Sequence, residues 1–445
     1  MAIIKKSSDN PLLTMGTTNS IEGSKVETKI PSTTVHLFFD GTRNNRFNTE
    51  AARTNENLRQ KDISYDNYFS NIALLFMALE ETESRLKIYI EGAGSAHGDT
   101  DSMFGLGMAK GSTGRSDRIE LAFSELSNKT KNMKQKDIIL NIYGFSRGAA
   151  WARHFCDELK KNDDWKVAKI NFVGIYDTVS SDGFAHYNDV EELGLDLGKK
   201  KHDINFIAHL TAQNDYRNHF PLTRIKRAVH DQIGFECSFP GAHSDIGGGY
   251  SELYKETDTF LGFEDEQKNH NDEEYIDINW FMDKGYYSKE QITIKDKSAL
   301  LGLISNKAKY ASRDTEYHYQ FILAEIMKDI AVSRGQYVIV SDGITDIEND
   351  IEKMYKIPLL KKFRDSAHRY VMSNYSKMGT GYEAPLLSQD EMLLIYNRYI
   401  HNSLDYGDIA NGGTILSKQQ DADGKLRFDR PKRPEVTEGY ANENT

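Results

Sequence analysis

The sequence predicts an α/β protein with a mostly parallel sheet flanked by helices, followed by a mainly helical C-terminal extension. Two observations lead to this fold class. Between residues 33 and 176, short apolar segments bounded by turn residues alternate with segments of helical periodicity. Beyond about residue 250 the alternation stops and helical patterns dominate. Strands that alternate with helices are typical of a parallel sheet covered on both faces.

Four apolar segments are the predicted strands of this sheet: Thr33–Asp40, Leu86–Glu91, Asp137–Tyr143 and Ile170–Tyr176. The last two are almost entirely apolar. A strand that is buried on both faces needs no alternation of polar and apolar residues, so these two are expected near the centre of the sheet. Residues 204–210 and 225–239 are expected to add edge structure.

Composition and periodicity divide the chain into four predicted parts. Residues 1–32 form a polar, flexible leader without periodicity. Residues 33–285 form the sheet-containing domain, and residues 286–405 form the mainly helical extension packed on it. Residues 406–445 form a polar tail with few aliphatic side chains.

The overall charge and the apolar runs exclude several classes of function. The 445 residues carry a net charge of −11, and a dedicated nucleic-acid binder normally presents a basic face, so we expect no nucleic-acid partner. The longest apolar run, Ile72–Leu79, is far too short to span a membrane. No apolar segment follows Lys5 and Lys6, so we expect a protein made in the cytoplasm without a secretory signal.

The cysteines and carboxylates give little reason to expect a metal or a cofactor. Cys156 and Cys237 lack the spacing of metal ligands or of a disulfide framework. The carboxylates Asp40, Asp177 and Asp245 could in principle hold a hard cation, which stays open as an alternative. We expect no cofactor and no metal.

The sharpest local pattern is Gly144-Phe145-Ser146-Arg147-Gly148, which follows a predicted buried strand and opens a predicted helix. This context is that of a nucleophile elbow, in which a strained turn presents the serine above the sheet. The N–H groups at the start of the helix would favour a developing oxyanion. The alternative is an ordinary turn in which Ser146 caps the helix.

A serine nucleophile requires a base and an acid, and in this type of fold the chain order is serine, acid, histidine. Asp177 is the first acid after the next buried strand, at the carboxyl edge where catalytic groups of parallel sheets lie. His243 lies in a glycine-rich stretch and is the preferred base, and His401 is the alternative base. Asp177 could instead be a turn residue, and Asp245 could orient His243.

A second turn is expected at the same edge of the sheet. The first predicted strand ends in Asp40-Gly41-Thr42, and its backbone N–H groups could complete an oxyanion hole with the N–H of Arg147. Asp40 could equally act only as a turn cap.

Several blocks together resemble a known family. In chain order they are FFDGTRNN, YIEGAG, GFSRGAAWAR, GIYDTV, FPGAHSDIGGGY and INWF followed by Gly285. From about Val35 to Gly285 the sequence is similar to the α/β-hydrolase domain family of bacterial type VI secretion phospholipase effectors. The resemblance implies Ser146 as nucleophile, Asp177 as acid and His243 as base.

The resemblance also implies an activity and partners. The expected function is a serine ester hydrolase, a phospholipase that cleaves acyl esters of glycerophospholipids in membranes. It would be secreted into the periplasm of a target cell, with a secretion spike protein and an immunity protein as partners. The alternatives are an esterase or thioesterase on soluble substrates, or a non-catalytic interaction protein that keeps the fold.

A long Gly-rich loop, Gly92–Gly114, follows the second predicted strand. Long loops without secondary structure inside a domain are often functional. We expect this loop to cover the acyl site, with Phe104 at its tip, although a loop packed permanently on the sheet is the alternative.

Overall fold

A seven-stranded parallel sheet forms the centre of the structure. The structure is a computed structural model that describes residues 32–102, 113–180, 189–263, 278–298, 305–339, 345–404, 418–420, 426–428 and 433–436. The predicted leader up to residue 31, most of the polar tail, and residues 103–112 with Phe104 lie outside these ranges. The predicted role of Phe104 therefore stays a prediction.

The described strands, numbered in chain order, are β1 (Thr33–Phe39), β2 (Arg85–Ile90), β3 (Ile138–Phe145), β4 (Lys169–Tyr176), β5 (Ile204–Ala212), β6 (Gly234–Phe239), β7 (Leu253–Phe263), β8 (Ile292–Ser298), β9 (Ser305–Glu316), β10 (Gly379–Glu383), β11 (Lys418–Gln420) and β12 (Leu426–Phe428). The four predicted strands correspond to β1 to β4 within two residues at each end.

The described α-helices, likewise in chain order, are α1 (Arg46–Thr54), α2 (Ile63–Asp66), α3 (Asn71–Ala78), α4 (Arg115–Lys129), α5 (Arg147–Lys161), α6 (Asp189–Glu192), α7 (Lys199–His202), α8 (Lys226–His230), α9 (His243–Gly247), α10 (Ile278–Lys284), α11 (Gln320–Arg334), α12 (Thr345–Tyr355), α13 (Pro358–Asn374) and α14 (Gln389–Tyr399). Short 3₁₀ turns occur between several of them.

The register of the sheet brings the ends of its central strands together. The strand order is β10-β6-β5-β4-β3-β1-β2, and every neighbouring pair is parallel. Phe39 pairs with Gly144, Phe145 with Tyr176, and Tyr176 with Leu210. The residues that follow β1, β3 and β4 therefore lie side by side at the carboxyl edge, which is where open α/β sheets place their sites.

The two faces of the sheet are packed separately. Along β1, Leu37 and Phe39 join one apolar cluster and Phe38 joins the other, as the twofold alternation of a strand requires. Phe155 of α5 belongs to the first cluster and Phe321 of α11 to the second. Helices on both faces explain why β3 and β4 are almost entirely apolar.

The part that follows residue 250 contains strands as well as helices. Strands β7, β9 and β8 form a separate antiparallel sheet, and β10 pairs with β6 at the edge of the main sheet. The predicted edge segments also differ from the structure, because β5 lies inside the sheet between β4 and β6. Helices α11 to α14 nevertheless dominate this part, so the α/β class with a mainly helical C-terminal part is confirmed.

Among the described residues, no helix is long and apolar enough to cross a membrane.

Candidate active site

Ser146 occupies a sharp turn between β3 and α5. Its backbone has φ 60° and ψ −128°, a conformation that residues with a Cβ atom rarely adopt. Its amide donates to the carbonyl oxygen of Tyr176 at 3.2 Å, which ties the turn to the end of β4. Although Ser146 stands at the N-cap position of α5, its side chain makes no capping hydrogen bond. Strained turns of this kind cluster at functional sites.

The two glycines of this turn let the chain pass close to its neighbours. A Cβ atom on Gly148 would lie 2.2 Å from the carbonyl oxygen of Asp40, and one on Gly144 would lie 2.6 Å from the Cα atom of Ala149. A methyl group fits at neither glycine, because both distances are far shorter than a van der Waals contact. The turn, α5 and the end of β1 can therefore meet only with glycine at both positions.

Asp177 follows β4 and lies directly beside this turn. It is fully buried, and its own backbone has φ 40°. Its Oδ1 atom accepts from the amide of Ala212 at 2.8 Å, and its Oδ2 atom accepts from Nδ1 of His243 at 2.5 Å. The structure therefore brings together the acid and the preferred base, which are 66 residues apart in the chain.

Asp177 is charged in spite of its burial. Burial alone would raise the pKa of this carboxyl, but the guanidinium of Arg433 and the imidazole of His243 hold the pKa well below its usual range. A carboxylate that stays ionised can keep accepting the Nδ1–H of the histidine. This bond fixes the tautomer of His243 with Nε2 as the acceptor atom.

The Nε2 atom of His243 is buried and has no hydrogen-bond partner among the described residues. The ring of His243 packs against Phe145, with ring centroids 4.6 Å apart, and against Phe220 at 5.1 Å. Phe145 directly precedes Ser146, so the imidazole lies beside the strained turn. An unpaired acceptor in this position is suited to take a proton from a hydroxyl group.

The turn after β1 is built around the carboxyl group of Asp40. It is fully buried and accepts from the amide of Gly41 at 2.7 Å, from the hydroxyl of Ser70 at 2.5 Å, and from the hydroxyl of Tyr89. Burial raises the pKa of Asp40 to about 6, although these three hydrogen bonds oppose the increase. Because the amide of Gly41 already donates to Asp40, it is poorly placed to serve as an oxyanion donor.

A side-chain hydrogen bond joins this turn to the serine turn. Nε of Arg147 donates to Oγ1 of Thr42 at 2.7 Å. The backbone N–H of Arg147 belongs to the first turn of α5, and that of Thr42 belongs to the turn after β1. The bond therefore fixes the distance between the two backbone N–H groups that could donate hydrogen bonds to an oxyanion.

The alternative base, His401, makes a separate pair. Its Nδ1 atom donates to Oδ1 of Asp245 at 2.6 Å, and its ring stacks on Tyr250 with centroids 3.5 Å apart. Its Nε2 atom is also buried without a partner among the described residues. Asp245 in addition accepts from the amide of Ala242, immediately before α9. Asp245 therefore orients His401 and not His243.

Two further histidines, His209 and His230, have contacts that give them no part in the candidate site. His209 on β5 donates from Nδ1 to Glu236 at 2.9 Å and accepts from the amide of Thr178 at 3.1 Å. Burial lowers the pKa of His209, although Glu236 opposes this. His230 is exposed, and its Nδ1 atom lies 3.2 Å from Oδ1 of Asp231.

Sequence reasoning missed two partners of the site. Arg433 pairs with Asp177 from a distance of 256 residues in the chain, and Asp215 accepts the amide of His243 at 3.1 Å. Arg433 lies in a polar stretch with no periodicity or motif, so the sequence carries no signal for it. Asp215 follows β5 at the carboxyl edge of the sheet, which is the one signal that could have identified it.

The three carboxylates considered as cation ligands have different partners. Asp40 binds hydroxyl groups, Asp177 binds Arg433, and Asp245 binds His401. Within the described ranges, no group of three or more His, Cys, Asp or Glu side chains is placed to hold a metal ion.

Comparison with known proteins identifies the class. Residues 154–283, which include Asp177 and His243, match the family model described as "T6SS, Phospholipase effector Tle1-like, catalytic domain". The fold resembles that of the Tle1 effector in its structure bound to the VgrG spike from the type 6 secretion system, with a TM-score of 0.57 and 20% identity. That match covers 91% of this chain and 92% of the other. A search of curated proteins gave no match.

A second solved structure, of an uncharacterized protein from Pseudomonas aeruginosa, is less similar. Its TM-score is 0.38 at 21% identity, over 49% of this chain and 42% of the other, which is too low to indicate a common fold. The parallel sheet and the serine turn define an α/β-hydrolase-like protein. More narrowly, residues 154–283 match a Tle1-like phospholipase effector domain of type VI secretion, and the predicted resemblance is confirmed.

Proposed function

We propose that the chain cleaves acyl esters of glycerophospholipids, as an A-type phospholipase, with Ser146 as nucleophile, His243 as base and Asp177 as acid. One observation carries this assignment. His243 donates to the ionised Asp177 at 2.5 Å, and its unpaired Nε2 atom is left beside the turn that holds Ser146. The residues proposed as nucleophile, acid and base follow β3, β4 and β6, and all three lie at the carboxyl edge of the sheet.

In the first step, the hydroxyl of Ser146 attacks the ester carbonyl while Nε2 of His243 accepts the proton. Asp177 stabilises the imidazolium that forms, without taking the proton itself. The oxyanion receives hydrogen bonds from the backbone N–H groups of Arg147 and Thr42. The strained turn at Ser146 holds the hydroxyl ready before substrate binds, so no reorganisation is needed at that moment.

In the second step, His243 returns the proton to the leaving alcohol, and the lysolipid departs from the acyl-enzyme. A water molecule then attacks the acyl group while Nε2 of His243 again accepts a proton. The tetrahedral intermediate collapses, the fatty acid leaves, and Ser146 regains its proton. The roles of the residues are the same in both halves of the reaction.

The biological setting follows from the class of the domain. We infer delivery by a secretion spike protein into the periplasm of a target cell, where the phospholipid membrane is the substrate, and an immunity protein that blocks the enzyme in the producing cell. The solved Tle1 effector bound to a VgrG spike supports a spike partner. Toxicity after export to the periplasm, but not after expression in the cytoplasm of the same cells, would support this setting.

The activity is tested with purified protein. Wild type should release fatty acid from phosphatidylglycerol and phosphatidylethanolamine vesicles, and folded Ser146→Ala should not. Turnover of both lipid and a short p-nitrophenyl ester by Ser146→Ala would contradict the serine mechanism. Turnover of the short ester alone by wild type would favour the soluble esterase. A folded wild type without activity on either substrate would favour the non-catalytic alternative.

A further inference from the structure

A short segment far along the chain, Arg433–Val436, contacts the proposed catalytic acid. The side chain of Arg433 is only 7% exposed and forks onto Asp177. Its Nη1 atom donates to Oδ1 at 2.5 Å and its Nη2 atom donates to Oδ2 at 2.8 Å. Nη1 also donates to the carbonyl oxygen of Ala212 at 2.5 Å, which gives the guanidinium a third anchoring point.

Backbone pairing and an ion pair hold this segment in place. The amide of Leu222 donates to the carbonyl oxygen of Pro434 at 2.9 Å, and the amide of Val436 donates to that of Leu222 at 3.0 Å. Glu435 makes a two-point ion pair with Arg224, at 2.6 and 3.0 Å. The side chain of Val436 is buried in a small apolar cluster with residues of α5 and of 190–195.

The sequence of the segment suits this position. A residue that precedes proline is confined to extended backbone, so Arg433, before Pro434, is prepared for the pairing with Leu222. Backbone pairing, an ion pair and apolar burial together place the guanidinium at one point of the active site. A surface arginine in a free tail would lack all three restraints.

We propose that Arg433 is a positioning residue of the active site, which holds the Asp177 carboxylate in the orientation that binds His243, and that the 433–436 segment thereby completes the site. This inference rests on the proposed function of Asp177 and His243. Arg433 contacts Asp177 and not His243 in the described structure, so its effect on the reaction passes through the carboxylate.

The hydrogen bonds around Asp177 explain why the guanidinium matters. Each carboxylate oxygen has two donors: Ala212 and Arg433 for Oδ1, His243 and Arg433 for Oδ2. Without Arg433, one donor remains on each oxygen, and the carboxylate can rotate about its Cβ–Cγ bond. The buried negative charge would also lose its cation. The pKa of Asp177 would then rise, because Arg433 lowers this pKa more than any other neighbouring group.

The other ionisable groups near Asp177 have partners of their own. The cation Arg217 binds Asp215 at 2.5 Å, and the imidazole of His209 binds Glu236 at 2.9 Å. Because these groups are already paired, none of them is placed to replace Arg433. The loss of Arg433 should therefore change the pH at which the proposed acid is ionised.

The test compares full-length wild type, Arg433→Met and Arg433→Lys on a short soluble ester across pH. Arg433→Met should lower kcat about 100-fold with little change in KM, because a slightly misplaced catalytic group is costly. The acid limb of its pH–rate profile should move to higher pH, because the positive charge of Arg433 opposes the uptake of a proton beside Asp177. Arg433→Lys keeps the charge but loses the fork, so its acid limb should stay while kcat falls about tenfold.

A matched control removes the same charge elsewhere. Arg398 lies on α14, and Arg398→Met breaks its exposed ion pair with Glu316 of β9. This variant should leave both the rate and the pH profile unchanged. A kcat and an acid limb in Arg433→Met equal to those of wild type would overturn the inference. Failure of the proposed function looks different, because Ser146→Ala would then retain turnover.

A spectroscopic measurement keeps the inference testable if Arg433→Met is unstable. The Nδ1 proton of His243 should give a low-field proton resonance, recognised by its loss in His243→Gln. In Arg433→Lys this resonance should shift or broaden as the carboxylate loses its fork, and in Arg398→Met it should not. An unchanged resonance in Arg433→Lys, together with an unchanged kcat, would overturn the positioning role.

Discussion

Asp245 accepts a hydrogen bond from Nδ1 of His401 at 2.6 Å, although His243 is two residues away on the same short helix. His243 and His401 thus each pair with a different buried aspartate, and each has a buried Nε2 atom without a partner among the described residues. Only His243 packs against Phe145, the neighbour of Ser146. His401 instead stacks on Tyr250, so the two pairs should differ sharply in their contribution to catalysis.

The first prediction separates the two histidines. His243→Ala should lower kcat/KM on a short ester by about 10³-fold or more, close to the effect of Ser146→Ala, because a triad acts as a unit. The double variant should be no slower than either single variant. His401→Ala should cost less than about tenfold, because Asp245 keeps its bond to the amide of Ala242. A larger loss in His401→Ala than in His243→Ala would move the base to His401.

The second prediction concerns the stability of the serine turn. Ser146 has a positive φ, which costs a residue with a Cβ atom about 1 kcal/mol or more, while glycine adopts it freely. Ser146→Gly should therefore be more stable than Ser146→Ala by up to about 1 kcal/mol, although both lose activity. Denaturant unfolding of both variants measures this difference. Equal midpoints would mean that the turn stores no strain.

The third prediction concerns the bond between Arg147 and Thr42. Thr42→Val removes the Oγ1 acceptor without changing the size of the side chain, so the two turns should lose their fixed spacing. We expect kcat to fall about tenfold with little change in KM, because the oxyanion is bound mainly in the transition state. Thr42→Ser keeps the hydroxyl and should stay near the wild-type rate. Equal rates for valine and serine would exclude a role for this bond.

The fourth prediction concerns stability and pH. Burial raises the pKa of Asp40 from 3.8 to about 6. Below pH 4 the carboxyl is protonated in the folded and the unfolded chain. Between pH 4 and 6 the unfolded chain releases its proton first, so stability falls by about 3 kcal/mol as pH rises and then levels off.

Asp40→Asn lacks this titration. The free energy of unfolding of wild type, minus that of Asp40→Asn, should therefore fall by about 3 kcal/mol between pH 4 and 7. Denaturant unfolding at several pH values measures both proteins under the same conditions, so the other carboxylates cancel in the difference. A difference that stays constant or rises with pH would contradict a raised pKa at Asp40.

Local patterns in the sequence were sufficient for the core of the fold. Strands β1, β3 and β4 are apolar runs bounded by turn residues, and Ser146 lies between a buried strand and a helix, so neighbouring residues alone specify these features. The place of β5 inside the sheet and the addition of β10 at its edge were not predictable in this way. Strand order depends on packing between distant segments, which periodicity along the chain does not encode.

The sequence by itself determined which residue types could form the site, and the tertiary structure decided how they pair. Asp177, Asp245, His243 and His401 were all candidates from their local surroundings. Which carboxylate meets which histidine depends on contacts between residues that are 66 and 156 positions apart. The pairing of Arg433 with Asp177 spans 256 positions and leaves no local pattern in the sequence. Which cation reaches the buried carboxylate depends on the positions of distant segments in the folded chain.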